Sequence, residues 1–301
     1  MDSLAAVPGT GPATSPLPVL RKARGPKSFS DLPTDRCVVM GILNVTPDSF
    51  SDGGEFVAAD KAIAQGLKLL YGGADIIDVG GESTRPGSQP VSPEEEQARI
   101  LPVIEALAKA GALISVDTKN VDTAAKALDA GAGIINDVSG MTYDPQMPAL
   151  IAERKVPYVL MHSRGEARHD DPKAKYEDVV AEVLAELTEL RDKFVAAGVA
   201  PELLILDPGL GFSKNGEHNW ALLRALPEFT KLGHKVLVAA SRKRFLGSLL
   251  SEAGKAAAPA ERDDATVAIS ALSAANGAWG VRVHDAGASL DAVKVASVWA
   301  G

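Results

Sequence analysis

From Cys37 onward the chain alternates short, β-branched apolar runs with longer amphipathic stretches, and it does so eight times. The strand-like runs are CVVMGIL (37–43), DIIDVG (75–80), LISVD (113–117), GIINDV (133–138), PYVLMH (157–162), LLILD (203–207), KVLVAA (235–240) and GVRVH (280–284). Strands that are apolar nearly throughout suit a parallel sheet covered on both faces. Helix-like stretches lie near 59–72, 93–110, 121–130, 145–153, 175–197, 219–226, 243–251 with 263–276, and 287–299. In VVAEVLAELTELRDKFVAA (179–197) apolar residues recur every three or four positions, which marks one helical face. Ser92, Pro93 and the acids Glu94, Glu95 and Glu96 form a helix start, with an N-cap, an N1 proline and charges that suit the dipole.

Eight such units, spaced by roughly 30 to 35 residues, predict an α/β fold of the single-domain (β/α)8 TIM barrel type. A doubly wound open sheet is the rival, but no Gly-x-Gly-x-x-Gly follows the first strand. The barrel is expected over 36–301. Residues 1–35 are rich in Pro, Gly and small side chains, a composition that predicts a flexible N-terminal extension.

A net charge of −8 excludes a strongly basic nucleic-acid footprint, so an anionic ligand has to be met by local cations. No apolar run approaches the roughly 18 to 20 residues that cross a bilayer. The single cysteine, Cys37, excludes an intrachain disulfide. A cytoplasmic setting is the expectation.

Polar or ionisable groups close every strand. They are Asn44; Asp78 with the loop Gly80 to Arg85; Asp117-Thr118; Asn136-Asp137; Met161-His162; Asp207; Ser241-Arg242-Lys243; and Arg282-Val283-His284-Asp285. One Asp or Asn after a strand is often only a helix cap or turn former. Eight of eight is different, and Asp78, Asn136 and Arg282 lie inside the apolar runs, where a polar group is costly unless paired or functional. In a barrel these ends converge on the face that carries the chemistry. The last two bring cations, at the usual phosphate position. The pattern predicts a ligand with a polar heterocycle at one end and a phosphate at the other, because carboxylates accept paired N–H donors. The long polar stretch behind the first strand, GILNVTPDSFSDGG (41–54), is longer than a plain turn needs, and such a loop is either functional or disordered.

With that stretch, DIIDVGGESTRPGS, SVDT, INDVSG, VLMHSRG, LDPGLGF, ASRKRFLG and VRVHD come in order, one at each strand end. The set resembles the dihydropteroate synthases of the pterin-binding barrel family over about residues 37 to 300. The resemblance implies the condensation of 6-hydroxymethyl-7,8-dihydropterin pyrophosphate with p-aminobenzoate, releasing pyrophosphate with Mg²⁺ assistance, in a homodimer. It implies that Asp117, Asn136 and Asp207 hold the pterin, with Met161 and Phe212 lining it, Lys243 at its polar edge and Asp78 on the floor. Asn44 matches a contact to the pyrophosphate and its Mg²⁺, and Arg282 and His284 match the pyrophosphate clamp. Phe50, Thr84, Arg85, Pro86 and Ser241 match the p-aminobenzoate side. Lys243, Arg282 and Asp117 are the candidate catalytic residues, and the loops carrying Asn44, Phe50, Thr84 and Arg85 are expected to act as lids. Leu210 stands where many relatives carry Phe or Ile.

Three other readings compete. A methyltetrahydrofolate-dependent methyltransferase of the same superfamily needs no pyrophosphate clamp, and SRKR, RVH and STRPG speak against it. A non-catalytic pterin-binding paralogue would keep the ring site alone. A Schiff-base aldolase would use Lys243, but its neighbours Arg242 and Arg244 suggest anion binding as readily as a lowered lysine pKa. Cys37 reads as a buried strand residue, Trp279 and Trp299 as core or interface packing, and His169, His218 and His234 as surface. His162 reads equally as a structural hydrogen bond or a site contact.

Overall fold

Period-two alternation along eight parallel strands divides each run between the inside of a barrel and the helices outside it. The computed structural model describes residues 27–46, 54–82, 91–165 and 174–300. Its strands are β1 (Val38–Asn44), β2 (Ile76–Gly80), β3 (Ile114–Asp117), β4 (Ile134–Asp137), β5 (Tyr158–Met161), β6 (Leu204–Asp207), β7 (Lys235–Val238) and β8 (Gly280–Val283). They pair in chain order and close, β8 pairing with β1, into a fully parallel barrel. The fold class and all eight strands are as the pattern predicts.

Parity separates two cores. Val38, Met40, Ile76, Leu113, Ile134, Val159, Ile205 and Leu237 pack together inside the barrel. Val39, Ile77, Val79, Ile114, Val116, Ile135, Leu160, Leu206 and Val281 face the surrounding helices. Two residues beyond the inner set, on the same face of β2 to β6, come Asp78, Ser115, Asn136, Met161 and Asp207. The barrel is therefore sealed by an apolar layer below and opens as a polar cup above.

The helices are α1 (Gly54–Tyr71), α2 (Pro93–Lys109), α3 (Val121–Asp129), α4 (Met147–Arg154), α5 (Val179–Ala196), α6 (Gly216–Arg224), α7 (Leu226–Thr230), α8 (Arg244–Leu249), α9 (Asp263–Ala275) and α10 (Ala286–Ala300). Ser92 caps α2, its side chain accepting from the Glu95 N–H at 3.2 Å. On α5, Val183, Leu187, Leu190 and Phe194 are the buried stripe. Two expectations change. The helix expected at 219–226 is two helices, because Pro227 cannot donate to a preceding carbonyl and α6 ends at Arg224. Helix α1 begins at Gly54, five residues before the expected start, so the connection behind β1 is shorter than its polar composition suggests.

The end of the expected flexible extension is packed. Leu32 joins the inner barrel core, and the Phe29 ring lies 5.7 Å from that of Trp279. Arg36 donates two 2.7 Å bonds to Asp75, whose Oδ2 also accepts from Val39 N. This pair closes the lower rim, with side-chain exposures of 17% and 7%. Arg36→Ala strands the Asp75 carboxylate and is expected to cost about 3 kcal/mol. Urea denaturation checks it; a change below about 1 kcal/mol would mean that the pair behaves as a solvated surface bridge. Residues 1–26 lie outside the described residues.

Candidate active site

The cup is organised around one guanidinium. Arg282, on β8, reaches across to β2 and β3: its Nε donates to Asp78 Oδ2 at 2.6 Å and its Nη2 to Asp117 Oδ2 at 2.7 Å. Asn136 Nδ2 donates to the same Asp78 oxygen at 3.0 Å. Arg282 thus stands between the two carboxylates, and among the described residues its Nη1 has no hydrogen-bond partner. Gly80 makes room beside Asp117, since a Cβ there would sit 3.3 Å from the Asp117 Cβ.

Burial raises the Asp117 carboxyl above the ordinary carboxylate range; Asp78 adds to the rise, and together they outweigh the Arg282 guanidinium. Burial alone would weaken Arg282 as a cation, but Asp78 and Asp117 outweigh it and hold its pKa up. In the floor, Asp78 Oδ1 and Ser115 Oγ are buried with no hydrogen-bond partner among the described residues. Buried polar atoms are rarely left so, and this pair suits the donors and acceptors of a bound ring.

The opposite wall is β6 with its following loop. Asp207 is 3% exposed, and its Oδ1 accepts from Gly209 N at 2.7 Å. Gly209 has a φ of +70°, and a Cβ there would come within 1.8 Å of the His162 carbonyl oxygen, so only glycine closes this turn. The turn presents the Leu210 carbonyl to Lys243 Nζ and the Phe212 ring 4.9 Å from it. Burial lowers Lys243 to about 8, against the pull of Asp207 and with the repulsion of Arg282. Burial raises Asp207, with Lys243 the largest opposing influence. The predicted ring-holding carboxylates and the cations Lys243 and Arg282 therefore act on one another across a single cup.

At its rim, Ser241 Oγ accepts from His284 N at 3.1 Å and lies 2.9 Å from His284 Nδ1. Met161, 2% exposed, ends β5, and half-buried Asn44 ends β1 beside Gly80. Phe50, Thr84, Arg85, Pro86 and His169 lie outside the described residues.

Some expected members turn away. Arg242 makes a bidentate pair with Asp263, both bonds 2.7 Å, and so ties its turn to α9 instead of adding to the anion-binding edge. Arg244 is exposed at the start of α8. Asp137 has the opposite parity to Asn136 and accepts from the Tyr158 hydroxyl at 2.7 Å, outside the barrel.

His162 is structural, buried with Lys214 in a chain of charges that runs out to half-buried Glu186 and Arg164 and that the sequence did not reveal. Its Nε2 lies 2.7 Å from Glu186 Oε2 and its Nδ1 2.9 Å from Lys214 Nζ. Arg164 binds Glu186 and Glu182 from the other side. Burial pushes His162 down to about 4, Lys214 and Arg164 adding to the fall against the Glu186 hydrogen bond. A depressed histidine leaves the unfolded chain holding more protons between its ordinary value near 6.5 and about 4, so stability is lost as pH falls through that window. The expected loss is about 3 kcal/mol. Denaturation of the wild type and of His162→Gln at pH 7 and pH 4.5 checks it; equal losses would contradict the assignment to His162.

A closed parallel barrel whose strand ends pool carboxylates, an amide and half-buried cations defines an enzyme site for a flat, hydrogen-bonding ring bearing an anionic group. The family model described as pterin binding enzyme matches residues 40–284, and the chain belongs to that family. Dihydropteroate synthase of Mycobacterium leprae (strain TN) is 53% identical over 265 residues, covering 87% of this chain and 93% of the relative. That of Bacillus subtilis (strain 168) is 46% identical over 252 residues, covering 83% and 84%. Xanthomonas albilineans dihydropteroate synthase with 4-aminobenzoic acid superimposes with a TM-score of 0.81 at 44% identity, covering 88% of this chain and 93% of that one. In complex with 7,8-dihydropteroate the same enzyme gives 0.79 at 41% identity, covering 89% and 95%.

Proposed function

We propose that this chain condenses 6-hydroxymethyl-7,8-dihydropterin pyrophosphate with p-aminobenzoate, forming 7,8-dihydropteroate and pyrophosphate in folate biosynthesis. The carrying observation is the Asp78–Arg282–Asp117 bridge, with Asn136 beside it and Lys243 and Asp207 facing it. Pterin has an edge of N–H donors that Asp117, Asn136 and Asp207 accept, over a floor holding Asp78 Oδ1, while Met161 and Phe212 bracket the ring. The remaining nitrogen of Arg282, with His284, takes the diphosphate.

Departure of pyrophosphate leaves a positive charge delocalised between the methylene and the ring. Carboxylates already fixed around the ring stabilise that charge without reorganising, and the cations receive the leaving group. The p-aminobenzoate amine is neutral at pH 7 and attacks without a strong base. Placing it over the methylene carries much of the remaining rate. Ser241, with Phe50, Thr84, Arg85 and Pro86 by resemblance, forms its side of the site.

Among the described residues no group of three or more His, Cys, Asp or Glu could hold a metal ion. The donor set instead suits a Mg²⁺ carried on the substrate's phosphates, which keeps waters and needs one or two protein oxygens. Asn44 would supply such an oxygen. When bound, Mg²⁺ would add charge neutralisation on the diphosphate.

The chain is expected to work as a cytoplasmic homodimer. Leu272 on α9 and Val295, Val298 and Trp299 on α10 are 60%, 66%, 83% and 86% exposed, on two helices that pack together. This apolar face supports pairing with a second copy, and light scattering after size exclusion tests it, a monomer being the contrary result. No helix among the described residues is long and apolar enough to cross a membrane.

The activity test incubates the purified protein with dihydropterin pyrophosphate, p-aminobenzoate and Mg²⁺. Formation of dihydropteroate supports the assignment. Binding of the pterin without product would instead leave the non-catalytic reading.

A further inference from the structure

The buried chain beneath the loop after β6 has no part in the chemistry above, yet it ends on the backbone that shapes the pterin wall. Lys214 is 6% exposed, and among the described residues its ammonium bonds this loop and His162 at the end of β5. Nζ donates to the Phe212 carbonyl at 3.0 Å, to the His162 carbonyl at 3.4 Å and to His162 Nδ1 at 2.9 Å. Glu186 on α5 fixes the far side of the imidazole, at 2.7 Å from Nε2. A proton held on Nε2 for Glu186 leaves the Nδ1 lone pair for Lys214. His162 N in turn donates to the Asp207 carbonyl at 2.9 Å, so the same two residues touch both ends of the segment 207–212. The middle of that segment is pinned separately, where Gly211 N donates to Asn219 Oδ1 at 2.7 Å.

A buried ammonium is costly, and a methionine would fill the same space without the charge. What it adds here is a fixed position for the Phe212 carbonyl, and with it the Phe212 ring and the Leu210 carbonyl that holds Lys243. We infer that Lys214, oriented by the His162–Glu186 pair, is a positioning residue that sets the pterin-facing wall. It touches no substrate and acts through Phe212, Leu210 and Lys243. The inference rests on the pterin reading of the cup.

The test compares Lys214→Met and Lys214→Gln with the wild type in steady-state kinetics, varying each substrate in turn, alongside thermal melts. Lys214→Met removes the donors and is expected to raise KM for dihydropterin pyrophosphate by about ten-fold or more, because small misplacements of a binding wall are amplified. KM for p-aminobenzoate should stay within about two-fold, since its side of the site is built from other loops. Lys214→Gln keeps a donor for the Phe212 carbonyl and should recover part of the loss. A merely structural role would lower the melting temperature in both variants and leave the two KM values together, which would overturn the inference. If Lys214→Met does not fold, Lys214→Gln decides alone: a rise of about three-fold confined to the pterin substrate supports the inference, and an unchanged KM overturns it. No turnover in the wild type would instead reject the reading of the cup.

Discussion

Arg282→Ala is expected to lower kcat/KM by about 10³-fold at pH 7. The side chain has two tasks. On the proposed reading it would supply positive charge where the diphosphate leaves, and in the structure it is the cation shared by Asp78 and Asp117. Without it the second task fails in a way that pH reveals. Burial already raises Asp117, and Arg282 is the largest influence opposing that rise. Its removal lifts the carboxyl further, so Asp117 is protonated over a wider range and, on the proposed reading, would no longer offer the ring a charged pair of acceptors. An ionised carboxylate is needed, so the acid limb of the kcat/KM profile moves to higher pH and the deficit is largest at low pH. Measuring that profile for both proteins separates the two tasks. A loss below about ten-fold, with the acid limb unmoved, would remove Arg282 from the site.

Lys243→Met should cost about 10² to 10³ in kcat/KM, and for a reason on the other limb. Burial has brought Lys243 down to about 8, and the charged form is the one that faces Asp207. As pH rises through that value the ammonium is lost, so wild-type activity should fall on the alkaline side. Methionine keeps the length and apolar stem, abolishes this limb and lets burial raise Asp207 without its main opponent. An alkaline limb that survives in Lys243→Met would assign that titration to another group. A lysine lowered in this way could also serve as a Schiff-base nucleophile, so borohydride treatment in the presence of a carbonyl substrate is a useful control, and no adduct is expected.

The fold was legible because its signal is repetitive. Eight apolar runs survive local noise, and each strand lies within a residue or two of its run. The cup was legible where polar residues interrupt those runs, as at Asp78, Asn136 and Arg282. Strand parity carries more information than the runs alone. Counting by two from Ile134 puts Asn136 in the cup and Asp137 outside it, where it meets Tyr158. It also selects Ser115 from Leu113, a buried hydroxyl at the head of SVDT to which the resemblance assigns no role.

What stayed hidden depends on contacts between distant segments. Arg242 looks like part of a cationic edge in SRKR, and only the approach of Asp263 shows that it is paired. Lys214 and Glu186 look like ordinary loop and helix charges until His162 is found between them. The packing of Phe29 and Leu32 against the lower end of the barrel was likewise hidden, because a Pro- and Gly-rich lead-in gives no periodic pattern. Trp299 was expected in a core or an interface, and at 86% exposure the core is excluded.

A crystal structure of the chain with a bound dihydropterin pyrophosphate analogue decides whether the cup works as described. The ring should lie within hydrogen-bond reach of Asp117, Asn136 and Asp207, with the diphosphate against Arg282 and His284 and the Phe212 ring alongside. A ligand bound elsewhere, or one with its phosphates against the carboxylates and its ring in solvent, would contradict the assignment.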